Sequence, residues 1–169
     1  MNHFIKNSLL VALAFLVARI YLSYTWLSNA ESKLIFDFNI TPMLEAQVQS
    51  GTLPSWWAGF MKLFVLPNTA IFELLVTVGE LSVGIALLLG LFTRFSALMG
   101  AIMNFSFLMT FGSGLDLQML IIHLTLFVFA YSAGRIGLDR YSRQYTSKWG
   151  TSIKRRLLPK NKRGKETFA

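Results

Sequence analysis

The chain has no cysteine and little charge of either sign, and each shortage excludes a class of protein. Without cysteine, its 169 residues cannot form a disulfide framework, a thiolate zinc site, an iron–sulfur cluster or a thiol redox relay. Only 14% of the residues are charged, whereas 54% are hydrophobic and the mean hydropathy is +0.52. That composition does not suit a soluble domain, so we expect a protein of the lipid bilayer.

Four apolar stretches predict four transmembrane helices, because each approaches the ~20 residues that a helix needs to cross a ~30 Å hydrocarbon core. They cover about residues 7–30, 68–92, 95–115 and 117–134. The expected fold class is therefore all-α, an integral membrane four-helix bundle. A signal peptide is the alternative for the first stretch, since Lys6 precedes an apolar run, but Arg19 would interrupt that run.

The connection between the first two spans, residues 31–66, is too apolar to be a simple linker. Thr41-Pro42 predicts a helix start with Thr as the N-cap, and we expect a short helix over 42–50. The aromatic run that contains Trp56 and Trp57 is typical of an interfacial helix. We expect a lid over the outer mouth of the bundle, and the alternative that these tryptophans are simple membrane anchors stays open.

Positive charge is concentrated at the C-terminal end, where residues 135–169 hold eleven of the sixteen Lys and Arg residues and only two acids. Because Lys and Arg near span ends stay on the cytoplasmic side, four spans place both termini in the cytoplasm and residues 31–66 outside. We expect a membrane domain over 1–141 and a basic tail over 142–169 beside anionic lipids. We do not expect nucleic-acid binding, because the same cations already satisfy the positive-inside rule.

Polar residues within the apolar stretches are the candidates for function, since an ionisable group in hydrocarbon is costly unless it is paired, hydrated or used. The rise of a helix places Arg19 and Glu80 near the membrane midplane, which predicts an ion pair between them. Asn104 reaches a similar depth, while Glu73 and His123 lie roughly 8 to 10 Å below the outer surface.

Helical spacing predicts that these groups converge on the bundle interior. Residues three or four positions apart share one face of a helix, and a face of polar and small residues must contact protein or water. Three such faces occur, one in each of the first three spans: Arg19, Ser23, Trp26 and Ala30; Glu73, Thr77, Glu80 and Gly84; and Ser96, Gly100 and Asn104.

The candidate catalytic residues are Glu73 and His123, because a carboxyl and an imidazole near an opening can donate and accept protons. The candidate ligand-binding residues are Arg19, Glu80, Asn104, Trp56, Trp57 and Lys33. A structural alternative stays open, in which the charged pair only fixes the register of the helices. No local motif supports a metal site, so none is predicted.

These motifs resemble those of the DoxX-like membrane proteins, a family that includes the small DoxD-type subunit of thiosulfate:quinone oxidoreductase. The resemblance covers about residues 15–141. It lies in Arg19 to Trp26 with Lys33, in Phe72-Glu73, in Gly79 to Thr93, in Met103-Asn104-Phe105 and in Gly134 to Arg140. Ser23 stands where a glycine is usual, Ser28-Asn29-Ala30 replaces an Ala-Gly step, and an Asn-Pro after the third span is missing.

The resemblance implies a subunit of an oxidoreductase system in a bacterial or archaeal cell membrane, acting with a quinone or another amphipathic ligand in the outer half of the bundle. The sequence has no cofactor motif of its own, neither a Gly-rich dinucleotide fingerprint nor cysteines, so a partner redox protein would supply the electron-transfer centre. Two alternatives stay open: a lipid-binding or isomerase-like protein, and a non-catalytic scaffolding subunit. Oligomeric state, ligand identity and catalysis by the chain itself are undetermined at this point.

Overall fold

The computed structural model describes residues 9–36, 38–134 and 136–139, and every regular element in those ranges is helical. The α-helices are α1 (Leu9–Ile35), α2 (Thr41–Gln49), α3 (Ser55–Phe60), α4 (Thr69–Leu89), α5 (Thr93–Phe111), α6 (Gly114–Val128) and α7 (Ala130–Ala133). A π-helical stretch (Met61–Val65) and a 3-10 turn (Leu66–Asn68) join α3 to α4, so the chain stays helical from Ser55 to Leu89. The prediction of an all-α fold is confirmed.

Three helical segments among the described residues are long and apolar enough to cross a membrane: Leu9–Ile35, Ser55–Leu89 and Thr93–Phe111. They correspond to the first three predicted spans. The fourth predicted span corresponds to α6, which has 15 residues, followed after Phe129 by the short helix α7. Hydrogen bonds from Phe129 to Thr125 and from Ala133 to Phe129 continue the helical path across this break.

The outside of the molecule carries many large hydrophobic side chains, as expected for lipid contact. Large hydrophobic side chains on the outer faces of the helices are half or more exposed, for example Val17, Ile71, Leu74 and Phe95. The buried polar and charged residues are Arg19, Ser23, Glu80, Thr93, Ser96, Asn104, Thr110, His123 and Asp139. The exposed hydrophobic side chains can contact hydrocarbon without cost, whereas the buried polar and charged side chains require protein partners or water.

The long helices pack as neighbours along the chain, α1 on α4, α4 on α5 and α5 on α6, and α1 also contacts α6 and α7. Small residues set the closest approach between α1 and α4. Ser23 donates its hydroxyl to the Gly84 carbonyl over 2.7 Å, and a Cβ at Gly84 would lie 2.8 Å from Leu27 Cγ. The predicted interior faces of α1 and α5 are confirmed, because every residue named on them is buried; on α4, Glu80 and Gly84 are buried and Glu73 and Thr77 are half-buried.

The connection between α1 and α4 forms a second, smaller core from Ile40, Leu44, Trp57, Met61 and Val65. The short helix expected over 42–50 is present as α2, but the prediction that Thr41 is its N-cap is wrong. Ile40 occupies the N-cap position without a side-chain bond, and the Asn39 side chain accepts from the Thr41 amide instead. An Asn oxygen two residues before the amide supplies the acceptor that the isoleucine lacks.

Candidate functional site

Lys33 and Glu80 form an ion pair between α1 and α4. The Glu80 side chain is 1% exposed and the Lys33 side chain is 16% exposed, so the carboxylate is enclosed while its cation lies near an opening. The predicted partner of Glu80 was Arg19. The prediction of an Arg19–Glu80 pair is therefore wrong, although the argument that a buried carboxylate needs a cation is sound.

Helix direction explains this pairing. Three contacts between α1 and α4 occur in opposite order along the two helices, Arg19 with Leu87, Ser23 with Gly84 and Lys33 with Glu80, so the helices run antiparallel. Lys33 and Glu80 lie about 15 Å and 6 Å along their helices from the Ser23–Gly84 contact. Side chains lean toward the N-terminus of their own helix. The Lys33 stem therefore leans along α1 toward the level of Glu80, while the Glu80 side chain leans along α4 toward Lys33, and the two ends meet.

Two aromatic rings flank the ammonium group of Lys33. Its Nζ lies 5.1 Å from the centroid of the Phe38 ring and 5.9 Å from that of Phe107. Both distances are within the range of cation–π attraction. The composition of the sequence gave no sign of Phe38 and Phe107 as partners of a lysine, because phenylalanine is common throughout this chain.

Trp26 and His123 form the second buried polar contact. The indole Nε1 donates to His123 Nε2 over 2.8 Å, and both side chains have no exposed surface. The Trp26 ring also lies 6.3 Å from the Phe107 ring, centroid to centroid. His123 lies nine residues into α6, about 13 Å along that helix, and it is fully enclosed.

Four buried polar atoms in this region have no hydrogen-bond partner among the described residues. They are Glu80 Oε2, His123 Nδ1, and both the oxygen and the nitrogen of the Asn104 amide. Each such atom costs about 1–3 kcal/mol if it remains unpaired, so their concentration in one part of the molecule requires a cause.

Contacts of residues on α5 indicate that these atoms share one region. We call this region the central polar cluster, and it consists of Glu80, Asn104, His123, Trp26 and Lys33. On α5, Met103 lies against Gly79, Gly100 lies against the His123 ring, and Phe107 lies near both Trp26 and Lys33. Asn104 is 1% exposed and sits between these contacts on the same helix. The cluster is thus enclosed by α1, α4, α5 and α6.

A lateral groove of about 520 Å³ opens beside this cluster. Its polar lining consists of Lys33, Glu73 and Thr77, and its apolar lining consists of Leu34, Ile35, Phe36, Phe38 and Leu74. Glu73 is half-buried and accepts a hydrogen bond from the Ile40 amide over 2.8 Å. The groove and the central polar cluster share Lys33, which connects lipid-exposed surface to the buried Glu80.

Trp56 and Trp57 have different environments. Trp57 is buried and donates its indole N–H to Thr110 over 3.1 Å, whereas Trp56 is 60% exposed and contacts Trp57 edge-on at 5.4 Å between centroids. Neither lines the lateral groove. Trp57 anchors the connecting segment to α5, and Trp56 has the exposure of a membrane anchor.

Arg19 lies outside the central polar cluster, at the other end of α4. Its guanidinium donates to the Leu87 carbonyl over 2.9 and 2.7 Å, to Leu88 over 3.3 Å and to Ala133 over 3.1 Å, and it also donates to Ile136. Leu87 is seven residues beyond Glu80, about 10 Å along α4. Arg19 therefore donates to carbonyls at the C-terminal ends of α4 and α7 and in the segment after α7, where regular helical hydrogen bonds end.

The segment after α7 completes this arrangement, which we call the inner latch: Arg19, Gly90, Ile136, Gly137 and Asp139. The Asp139 carboxylate accepts from the amides of Phe92 (2.7 Å) and Thr93 (2.9 Å) and so caps the start of α5. Asp139 also donates its amide to the Gly90 carbonyl over 2.8 Å. Two stretches of the sequence that carry the family resemblance thus meet here and hold helix ends together.

Within the described residues no group of three or more His, Cys, Asp or Glu side chains could hold a metal ion.

Trp26 was predicted from the sequence to lie on the interior face of α1, but no role was predicted for it. Its spacing from Arg19 and Ser23 was the available signal, but the partner of its indole is 97 residues away in the chain.

Comparison with known proteins identifies one family. The family described as "TQO small subunit DoxD" matches residues 9–161, which is most of the chain and extends beyond residue 141 into the basic tail. Neither a curated protein nor a solved structure matches the chain significantly.

Proposed function

Because this chain belongs to the DoxD family, we propose that it is a membrane subunit of an oxidoreductase system and that it binds a quinone or a similar amphipathic ligand in the lateral groove. The observation that carries this proposal is the meeting of an apolar groove with a buried ion pair at Lys33. An amphipathic molecule requires apolar walls for its tail and a few polar atoms for its head group, and this groove has both.

We further propose that α1, α4, α5 and the α6–α7 pair are four membrane spans with both termini in the cytoplasm. The twenty residues from Gly114 to Ala133 would rise about 30 Å, enough to cross the hydrocarbon core. The connection between α1 and α4 then lies on the outer side, with α3 at the membrane interface. The groove, which lies where α1 and α4 meet this connection, consequently opens in the outer half of the membrane, and Trp56 is an interfacial anchor on the same side.

The donor set of the groove fits the head group of a quinone. A quinone has carbonyl oxygens that accept hydrogen bonds, and the Lys33 ammonium offers three donors, of which Glu80 takes one. The Thr77 hydroxyl is a further donor, which in this structure donates to the backbone carbonyl of Glu73. When bound, a quinone would supply the capacity to take up electrons and protons from a partner redox protein.

The residues of this chain would bind, orient and exchange protons. Lys33 would hold the head group against the polar end of the groove, and Glu73, half-buried at its rim, is positioned to exchange a proton with the outer aqueous phase. Glu80, Asn104 and His123 would form the polar environment behind the head group. Arg19 would act only through the inner latch, because its guanidinium is held by backbone carbonyls.

The test of this proposal is the binding of ubiquinone-1 to the purified full chain in mild detergent. Quenching of tryptophan fluorescence measures the binding. We expect saturable quenching that weakens at least tenfold in Lys33→Met. Lys62→Met is the matched control, because it removes an exposed lysine of the π-helical stretch between α3 and α4 that does not line the groove. No saturable quenching in the parent, or equal weakening in both variants, would contradict the proposal.

A scaffolding subunit is the second candidate, and the inner latch favours it. Five hydrogen bonds from one buried arginine to four carbonyls have an evident structural purpose and no evident chemical one. A parent chain that binds no ubiquinone-1, yet co-purifies with a protein partner, would favour scaffolding. Saturable binding of a phospholipid in place of ubiquinone-1 would favour the lipid-binding alternative.

A further inference from the structure

The contact between Trp26 and His123 restricts the chemistry of the imidazole. An indole N–H can only donate a hydrogen bond, and it donates to His123 Nε2 over 2.8 Å. The accepting nitrogen must therefore carry a lone pair. A neutral imidazole with a lone pair on Nε2 carries its proton on Nδ1, so the contact selects one tautomer and excludes the imidazolium form.

We infer that Trp26 is a positioning residue that holds His123 as the neutral Nδ1–H tautomer, so that His123 acts as a hydrogen-bond donor inside the bundle. This role differs from that of an acid or a base. Nε2 cannot accept a proton while the indole occupies it, and Nδ1 cannot release one without forming an imidazolate. The inference deepens the proposed site, but the tautomer itself does not depend on which ligand the groove binds.

The surroundings of Nδ1 indicate what it donates to. A Cβ at Gly100 would lie 2.3 Å from Cε1, 2.5 Å from Nε2 and 2.8 Å from Nδ1, so the edge of the His123 ring that carries both nitrogens faces α5. Asn104 lies one turn further along α5 on the same face, and its amide oxygen and nitrogen have no partner among the described residues. Nδ1–H and the Asn104 amide N–H are therefore two donors of the central polar cluster that have no partner among the described residues.

Two unpartnered donors in one enclosed cluster favour an oxygen acceptor. The ligand class of this interior site is thus a neutral oxygen, either the carbonyl of a bound quinone or a buried water molecule. The remaining oxygen of Glu80 can accept from such a water molecule, but it would repel an anion. A neutral oxygen is accordingly the best match to the three residues.

Nitrogen-15 NMR of the histidine ring tests the tautomer directly. The chain has two histidines, His3 and His123, so a His3→Gln background leaves one ring to observe. The full chain would be labelled with ring-¹⁵N histidine and studied in detergent micelles near neutral pH. We expect a protonated Nδ1 and an unprotonated Nε2, distinguished because Nε2 couples to both carbon-bound ring protons and Nδ1 to only one.

Trp26→Phe removes the indole donor and retains an aromatic ring. We expect a mixture of the two tautomers in this variant, with at least a third of the population carrying the proton on Nε2. Trp57→Phe is the matched control, because it also removes a buried indole hydrogen bond, to Thr110, but does not contact His123. In this control the Nδ1–H tautomer should persist.

An Nε2–H tautomer or an imidazolium in the parent would overturn the inference, as would an unchanged tautomer in Trp26→Phe. If Trp26→Phe does not fold, the parent spectrum alone still decides, since an Nε2–H ring cannot accept from the indole. Addition of ubiquinone-1 identifies the acceptor: a shifted Nδ1 resonance supports a quinone carbonyl, and an unshifted one supports buried water. Absence of ubiquinone-1 binding would count against the proposed function without altering the tautomer.

Discussion

Gly100 on α5 lies directly against the ring of His123 on α6, in a space that a methyl group cannot enter. This close approach allows His123 to lie between the helices with its Nε2 against Trp26. A small residue at a helix contact therefore has a specific task here, which is to make room for a buried imidazole.

Gly100→Ala should lower stability by about 1–3 kcal/mol, because the added Cβ would displace the His123 ring and disturb its bond to Trp26. Thermal melting in mild detergent measures this change. Gly59→Ala is the control, since a Cβ at that helical position meets nothing within 4 Å and should be neutral or stabilising by up to about 1 kcal/mol. Equal effects of the two substitutions would contradict the close contact at Gly100.

Lys33→Met should destabilise the protein by about 3 kcal/mol, because it leaves the enclosed Glu80 carboxylate without its cation. Glu80→Gln should cost less, since Lys33 is partly exposed and can turn its ammonium toward the groove. The double variant should recover most of the loss. A double-mutant cycle in detergent measures the coupling, and strictly additive losses would show that the two residues are not paired.

Arg19→Lys should be nearly as destabilising as Arg19→Leu, with a loss of about 3 kcal/mol or more. One ammonium group cannot reach the carbonyls of Leu87 and Ile136 together, whereas the planar guanidinium does. Adding Glu80→Leu to Arg19→Leu should give no recovery. Recovery of stability in that double variant would contradict this prediction and would instead support the Arg19–Glu80 pair predicted from the sequence.

The four-span arrangement predicts opposite labelling of two engineered cysteines in this cysteine-free chain. A cysteine in place of Ser50, exposed just after α2, should react with an impermeant maleimide in intact cells. A cysteine in place of Ser152, in the basic tail and outside the described residues, should react only after the cells are permeabilised. The reverse pattern would exclude cytoplasmic termini.

The sequence by itself determined the helical class, the three longest apolar helices and most of the residues that face the interior. These follow from local properties: a long apolar run favours a membrane helix, and spacing of three and four positions defines a face. For that reason Arg19, Ser23, Trp26 and Ala30 could be placed on one buried face before any partner was known. The family resemblance was also visible in the sequence, because its motifs are contiguous.

The pairing of those residues was decided only by the tertiary structure. The predicted Arg19–Glu80 pair relied on depths counted from estimated span ends, and α1 in fact continues to Ile35, far enough to bring in Lys33. A shift of a few residues in helix register moves a side chain by a full turn, and opposite helix directions decide which way each side chain leans. Lys33 therefore reaches Glu80, Arg19 reaches helix-end carbonyls, and Trp26 reaches a histidine that local sequence could not connect to it.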